Sequence, residues 1–424
     1  MSLLNSLPSP FSFPAGNPSI RQMPRVFEPF FRNRAVALCS DSSQPITKED
    51  GVHKSLDGAS NSGVGTSRNY GIDLLRIVSM YMVCLLHLLG QGGILDATAS
   101  NRIRNDVAWF LEIAAYCAVN CFSLISGYVG CRSTFKPRNF LRLWLQALFY
   151  SFGIALIFQF TCPSSISRKD FVISMFPICG GEYWYLTAYA IVFFLTPQMN
   201  YLLMRQPQNM LRRFIWVFFV IFSLLSVIPL LRRVAYSVSE GYSFIWLAYL
   251  YMVGGFIRIY GVSSLFPDIA FVRNAWDRIP FCCQTKLLLA YCLCIVVTFL
   301  LYPEGHYLLM HTIGRDSICR RFVNYNSPTI LFAGLSLFVF FSRLNVSRIT
   351  AFIKIASPLA FGVYLVHRQP QIWWQLFIGA FKWVAELSIW LFPFAIIFIA
   401  LVIYVVCSVI DYGRLRLFKL LRLS

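Results

Sequence analysis

The stretch NYGIDLLRIVSMYMVCLLHLLGQGG, Asn69 to Gly93, reads as a membrane-spanning helix with three residues that hydrocarbon does not tolerate: Asp73, Arg76 and His87. The rest of it is mostly Leu, Ile, Val and Met, over about the 20 residues a helix needs to cross a bilayer. Ionisable groups in such a helix are costly and face protein or a water-filled cavity, not lipid. At 100° per residue, with Arg76 at 0°, His87 falls at about 20°, and Asp73 and Gln91 at about 60°. All four therefore share one narrow stripe. The helical rise places His87 about 16 Å along the axis from Arg76.

The remaining chain is written for the same solvent. Of its 424 residues, 57% are apolar and 13% are charged. That is about half the charge of an ordinary soluble domain. Apolar segments of near-spanning length recur at about 70–91, 107–130, 143–161, 183–203, 214–231, 242–260, 286–302, 328–342, 357–378 and 388–410. The expected fold is all-α: a polytopic membrane protein of about ten transmembrane helices around a polar chamber.

The net charge of +19 follows this topology rather than nucleic acid. Bases gather after every second segment: Lys136, Arg138 and Arg142; then Arg205, Arg212 and Arg213; then Arg258, Arg273 and Arg278; then Arg343, Arg348 and Lys354; finally Arg414, Arg416, Lys419 and Arg422. The alternate loops carry acids such as Asp96, Asp170, Glu182 and Glu240. The alternation predicts a multi-pass protein of the cell (plasma or inner) membrane with both termini cytoplasmic. The stretch 303–327, with His306, His311, Arg315, Arg320 and Arg321, breaks the bias.

Residues 1–68 are rich in Ser, Pro, Asn and Gly without an apolar period, and read as a disordered N-terminal tail. Residues 69–412 form the membrane domain, and 413–424 a basic cytoplasmic C-terminus. The 13 cysteines are scattered, many inside apolar runs, with no metal-ligand spacing. They read as small core residues, and no metal is expected.

The second segment has its own polar stripe. In WFLEIAAYCAVNCFSLISGYVG, Glu112, Tyr116, Asn120, Ser123 and Gly127 fall within an arc of about 80°. Two neighbouring helices thus turn polar faces inward. Each group has a structural reading beside a functional one. Asp73 and Arg76 could be a structural ion pair, and His87 a packing histidine. Glu112 and Asn120 could serve interhelical hydrogen bonding as well as substrate.

Four stretches in order resemble the acyltransferase family 3 membrane proteins. IDLLRIVSMYMVCLLH carries an Arg and a His eleven positions apart (Arg76, His87), preceded by Asp73. VNCFSLISGYVG is similar to the family's Ser-Gly-aromatic motif, here Ser126, Gly127 and Tyr128. EYWYLTAYAIVFFLTPQMNYL is similar to its Trp-Tyr-Leu helix start, and ASPLAFGVYLVH to its late segment ending in His367. The resemblance spans about 70 to 410. The sequence is most similar to the stand-alone subgroup that O-acetylates surface glycans such as the enterobacterial common antigen. No fused esterase-like domain is expected after Ser424. The chain departs from the family pattern at Arg368, where members often place proline.

The resemblance implies a membrane O-acyltransferase that moves an acetyl or short acyl group from acyl-CoA, typically acetyl-CoA, to a glycan hydroxyl. It implies an essential pair of Arg76 and His87. A hydroxyl needs a base near neutral pH, and histidine suits that role. Arg76 offers a forked cation for a donor phosphate or carbonyl, with Asp73 to orient it. Gly127 would admit a substrate or a neighbouring backbone. Trp184 and Tyr185 read either as an interfacial aromatic belt or as a sugar or acyl platform. Glu112, Asn120, Ser126, Tyr128 and His367 are candidate substrate contacts. Lys136, Arg138 and Arg142 are candidates for the CoA phosphates, though positive-inside topology explains the same charges. The expected partners are the bilayer, the glycan acceptor and acyl-CoA, without nucleic acid. Rival readings are a flippase or proton-coupled exporter, a glycan polymerase or ligase, and a non-catalytic partner in an export complex. No internal repeat or large loop favours the first two, and an intact Arg76 and His87 pair argues against the third.

Overall fold

The structure is a computed structural model that describes residues 68–181, 183–228, 238–266, 282–312 (303–312 as backbone) and 322–422. The expectations for residues 1–67, Glu182, Arg273, Arg278 and the side chains of 303–321 fall outside the described residues. Each of the ten apolar segments becomes a helix. These are α1 (Tyr70–Leu89), α2 (Arg102–Gly130), α3 (Pro137–Thr161), α4 (Trp184–Arg205), α5 (Gln208–Val227), α6 (Phe244–Tyr260), α7 (Cys283–Tyr302), α8 (Pro328–Ser342), α9 (Ser347–His367) and α10 (Phe392–Leu420).

Among the described residues, eight of these are long and apolar enough to cross a membrane. The expected ten spans are not reached by length alone, because α6 has 17 residues and α8 has 15. At about 1.5 Å per residue, α8 rises about 22 Å, less than the hydrocarbon thickness of about 30 Å. Both short helices lie inside the protein. Trp246, Leu250 and Phe256 of α6, and Ile330, Ala333 and Phe338 of α8, are fully buried. Their ends can find protein partners instead of lipid, as where the Ser243 hydroxyl accepts the Trp246 amide.

The outer helices show the opposite pattern. Phe160 of α3 is 79% exposed, Leu293 of α7 63% and Val409 of α10 66%. In water such faces would drive association. In a bilayer they are the lipid-facing surface of a multi-pass membrane protein.

Helix α1 is central and packs against α2, α8, α9 and α10. Its N-cap is Asn69, whose side-chain oxygen accepts the Ile72 amide and whose Nδ2 donates to the Ser342 carbonyl. One residue thus starts α1 and ties it to the end of α8. Helix α1 ends at Leu89, so Gln91 lies in an exposed turn and leaves the polar stripe.

Helix α2 is broken at Tyr116–Cys117 into Arg102–Ala115 and Ala118–Gly130. The second half meets α6 backbone to backbone. A Cβ on Gly127 would lie 1.9 Å from the Tyr251 carbonyl oxygen. Of the two expectations for Gly127, the structure therefore has the neighbouring backbone.

Helix α9 stops at His367, earlier than the apolar run suggests. Gln369 is extended before Pro370, and residues Pro370–Phe377 form only short helical turns. Helix α10 continues through the basic stretch to Leu420. Arg414, read from the sequence as a loop base, turns inward and pairs with Asp411.

Candidate active site

Two helices build the site, and they run side by side in register. On α1, Arg76 and His87 lie near its two ends. On α9, Ser357 and His367 are spaced almost equally. Ser357 sits by Asp73 and Arg76, and His367 sits by His87.

At the first end, Asp73 is buried and bridges two cations. Its Oδ1 accepts from Arg76 Nη1 at 2.9 Å, and its Oδ2 accepts from Arg68 Nε at 2.5 Å. Arg76 Nη1 also donates to the Ser357 hydroxyl at 3.1 Å, and that hydroxyl lies 3.3 Å from Asp73 Oδ1. The carboxylate and the hydroxyl hold the guanidinium at a fixed angle. Arg68, at the end of the sequence assigned to the tail, is part of this cluster. Its guanidinium and the Lys354 ammonium both approach the Tyr70 ring, at 5.7 and 5.4 Å.

At the other end, His87 Nδ1 lies 2.8 Å from His367 Nε2, and His367 Nδ1 lies 2.5 Å from the Val363 carbonyl oxygen. The pair is walled by aromatic rings. Trp373 meets His87 edge-on at 5.0 Å and stacks on Phe377, and Arg368 lies over Trp373 at 4.3 Å.

A single cavity of about 220 Å³ joins the two ends, since both Arg76 and His87 line it. Its walls are largely apolar: Met80, Val83, Leu86, Val119, Phe122, Leu143 and Phe361. Ser126, Trp184, Tyr185 and Tyr364 add polar atoms. Trp184 and Tyr185 are thus cavity residues. The Ser126 hydroxyl donates to its own helix at the Phe122 carbonyl.

Other candidates lie elsewhere. Asn120 donates to the Tyr325 carbonyl and accepts from the Trp246 indole, so it binds α2 to α6 and to the start of α8. The Tyr128 hydroxyl accepts from Arg258 of α6. Glu112 is buried, and its Oε2 has no hydrogen-bond partner among the described residues. None of the three lines the cavity. Lys136, Arg138 and Arg142 are exposed around the start of α3. Leu143, the residue after Arg142, reaches the cavity wall.

Sequence reasoning gave no role to Ser357 and Tyr364, although both lie in the ASPLAFGVYLVH segment, and it did not single out Trp373. The hydroxyl hydrogen of Tyr364 has no acceptor among the described residues. A buried donor without an acceptor beside a cavity is available to a ligand oxygen.

The arrangement offers a clamped cation, an apolar passage and an imidazole at its far end. Residues 69–410 match the acyltransferase domain family. No curated protein and no solved structure matches the chain. A multi-pass chain matched over nearly its whole helical part is an acyltransferase of the membrane, and it belongs to acyltransferase family 3.

Proposed function

We propose that the chain transfers an acetyl or other short acyl group from acyl-CoA to a hydroxyl of a cell-surface polysaccharide or a lipid-linked glycan precursor. The observation that carries this reading is a cavity lined by both Arg76 and His87. Acyl-CoA supplies an activated thioester at the end of a long, narrow arm. A largely apolar cavity with a fixed cation in its wall suits such a donor.

The positions support the following roles. Arg76, oriented by Asp73 and Ser357, holds donor phosphate at the cavity mouth. Arg68, Lys354 and the exposed Lys136, Arg138 and Arg142 add positive charge for the remaining phosphates. Trp184 and Tyr185 give the acceptor an aromatic wall. His87 takes the proton of the attacking hydroxyl and returns it to the leaving thiolate. The Tyr364 hydroxyl donates to the carbonyl oxygen as negative charge grows there. The alternating loop charges support a cytoplasmic side for the Arg76 end and both chain termini, where acyl-CoA is made.

The test uses the purified chain in lipid nanodiscs with acetyl-CoA, reading release of free CoA thiol. Arg76→Lys keeps the charge but loses the forked geometry. It is expected to raise the acetyl-CoA KM about 10–100-fold, the worth of one charge-assisted hydrogen bond. An unchanged KM would remove Arg76 from the donor site. The acceptor is tested in cells: disruption of the gene should remove O-acetyl signals from the NMR spectrum of surface polysaccharide. Persistence of all such signals would contradict the glycan acceptor.

A further inference from the structure

We propose that His367 is a positioning residue that fixes His87 as the Nδ1–H tautomer, so that the His87 lone pair on Nε2 faces the cavity. This rests on the reading of His87 as the base.

The argument begins at a group whose role is not negotiable. The Val363 carbonyl oxygen can only accept a hydrogen bond. His367 Nδ1, 2.5 Å away, must therefore carry the proton. A neutral imidazole has one donor and one acceptor nitrogen, so His367 Nε2 is an acceptor. His87 Nδ1, 2.8 Å from that nitrogen, must then be the donor. The same rule leaves His87 Nε2 as an acceptor. His87 lines the cavity, and among the described residues nothing hydrogen-bonds its Nε2.

The opposite arrangement needs a cationic His367. Both of its nitrogens would then donate, His87 Nδ1 would accept, and His87 would present an N–H to the cavity instead of a base. The surroundings oppose that. His367 is 2% exposed, and the neighbouring residue Arg368 already holds a positive charge over Trp373. Phe377, stacked on Trp373 at 5.0 Å, lies against the His367 ring, and this burial leaves His367 little water to support a second cation.

The consequence is chemical. Histidine side chains in water favour the Nε2–H form, which would offer the acceptor hydroxyl a donor. The chain of Val363 carbonyl, His367 and His87 reverses that preference before substrate arrives. When His87 takes the hydroxyl proton on Nε2, its Nδ1–H bond to His367 Nε2 strengthens and steadies the imidazolium. When the proton leaves to the thiolate, the neutral pair is restored.

The test is solid-state 15N NMR of the full chain in lipid bilayers with labelled histidine, which distinguishes protonated from unprotonated ring nitrogens. The chain has five histidines, and loss of a signal in His87→Ala identifies His87. The expected result is His87 with Nδ1 protonated and Nε2 bare. His367→Phe removes the acceptor and should return His87 to the Nε2–H form, with acyl transfer falling about 10²–10⁴-fold. His367→Gln, whose side-chain oxygen can accept, should restore the Nδ1–H form and recover part of the rate. Finding Nε2–H at His87 in the intact protein, or an unchanged tautomer in His367→Phe, would overturn the proposal. If His367→Phe does not fold, the intact spectrum alone decides. The spectrum needs no acyl-CoA, so the expected tautomer without acetyl-CoA turnover would uphold the pair and count against the proposed donor.

Discussion

His87→Ala is expected to lower acyl transfer by about 10²–10⁴-fold, the usual contribution of a positioned base, while the protein folds and inserts as before. The imidazole sits at the cavity wall, at the far end from Arg76. Its removal leaves His367 bonded to the Val363 carbonyl and Trp373 stacked on Phe377, so the local frame keeps its own contacts. A merely structural histidine would behave differently. Its loss would lower activity only in proportion to the folded protein that remains. The check is CoA release in nanodiscs beside thermal unfolding of the same preparation. Loss of rate at unchanged melting temperature supports the base. A near-normal rate returns His87 to packing.

Asp411→Ala is expected to destabilise the helix bundle by about 3–5 kcal/mol, the cost of stranding one partner of a buried ion pair. Asp411 is 0% exposed, and its carboxylate is fully used. Oδ1 accepts from Arg414 Nε at 2.8 Å, from the Tyr150 hydroxyl at 2.7 Å and from Gln146 at 3.2 Å, while Oδ2 accepts from Arg414 Nη2 at 3.0 Å. Without it, the Arg414 guanidinium stays buried and unpaired. The cluster ties α10 to α3 and also rests on α9. A Cβ at Gly362 would fall 2.0 Å from the Asp411 carboxyl carbon, so Gly362→Ala should push the pair aside and destabilise in the same direction. Denaturant or thermal unfolding in detergent reads both variants. Wild-type stability in Asp411→Ala would show that the pair carries none of the bundle's stability.

The stripe on α1 was legible because one uninterrupted helix obeys one angular period. Asp73, Arg76 and His87 needed only that period and the cost of charge in lipid. The same arithmetic turned the stripe on α2 inward, and Tyr116 and Asn120 both reach Tyr325 across the break, but an angle cannot say what lies opposite. Asn120 and Gly127 face α6, and Ser126, about 100° away from Gly127, reaches the cavity. Helix α9 was drawn too far along the chain, since an apolar run continues through Pro370 although the helix cannot. The contact of His87 with His367 joins positions 280 residues apart, beyond any local period. One signal for it was available: the interval from Ser357 to His367 nearly equals that from Arg76 to His87, as two parallel helices touching at both ends require.

The most direct measurement of the account is a cryo-EM structure of the chain in nanodiscs with an acetyl-CoA analogue whose thioester is replaced by an unreactive thioether. The predicted result is density for the phosphates at Arg76 and for the arm along Met80, Val83 and Phe361, ending within hydrogen-bond reach of His87 Nε2 by way of an acceptor hydroxyl or water. Analogue bound away from this cavity, or in it with the acyl end pointing away from His87, would contradict the account.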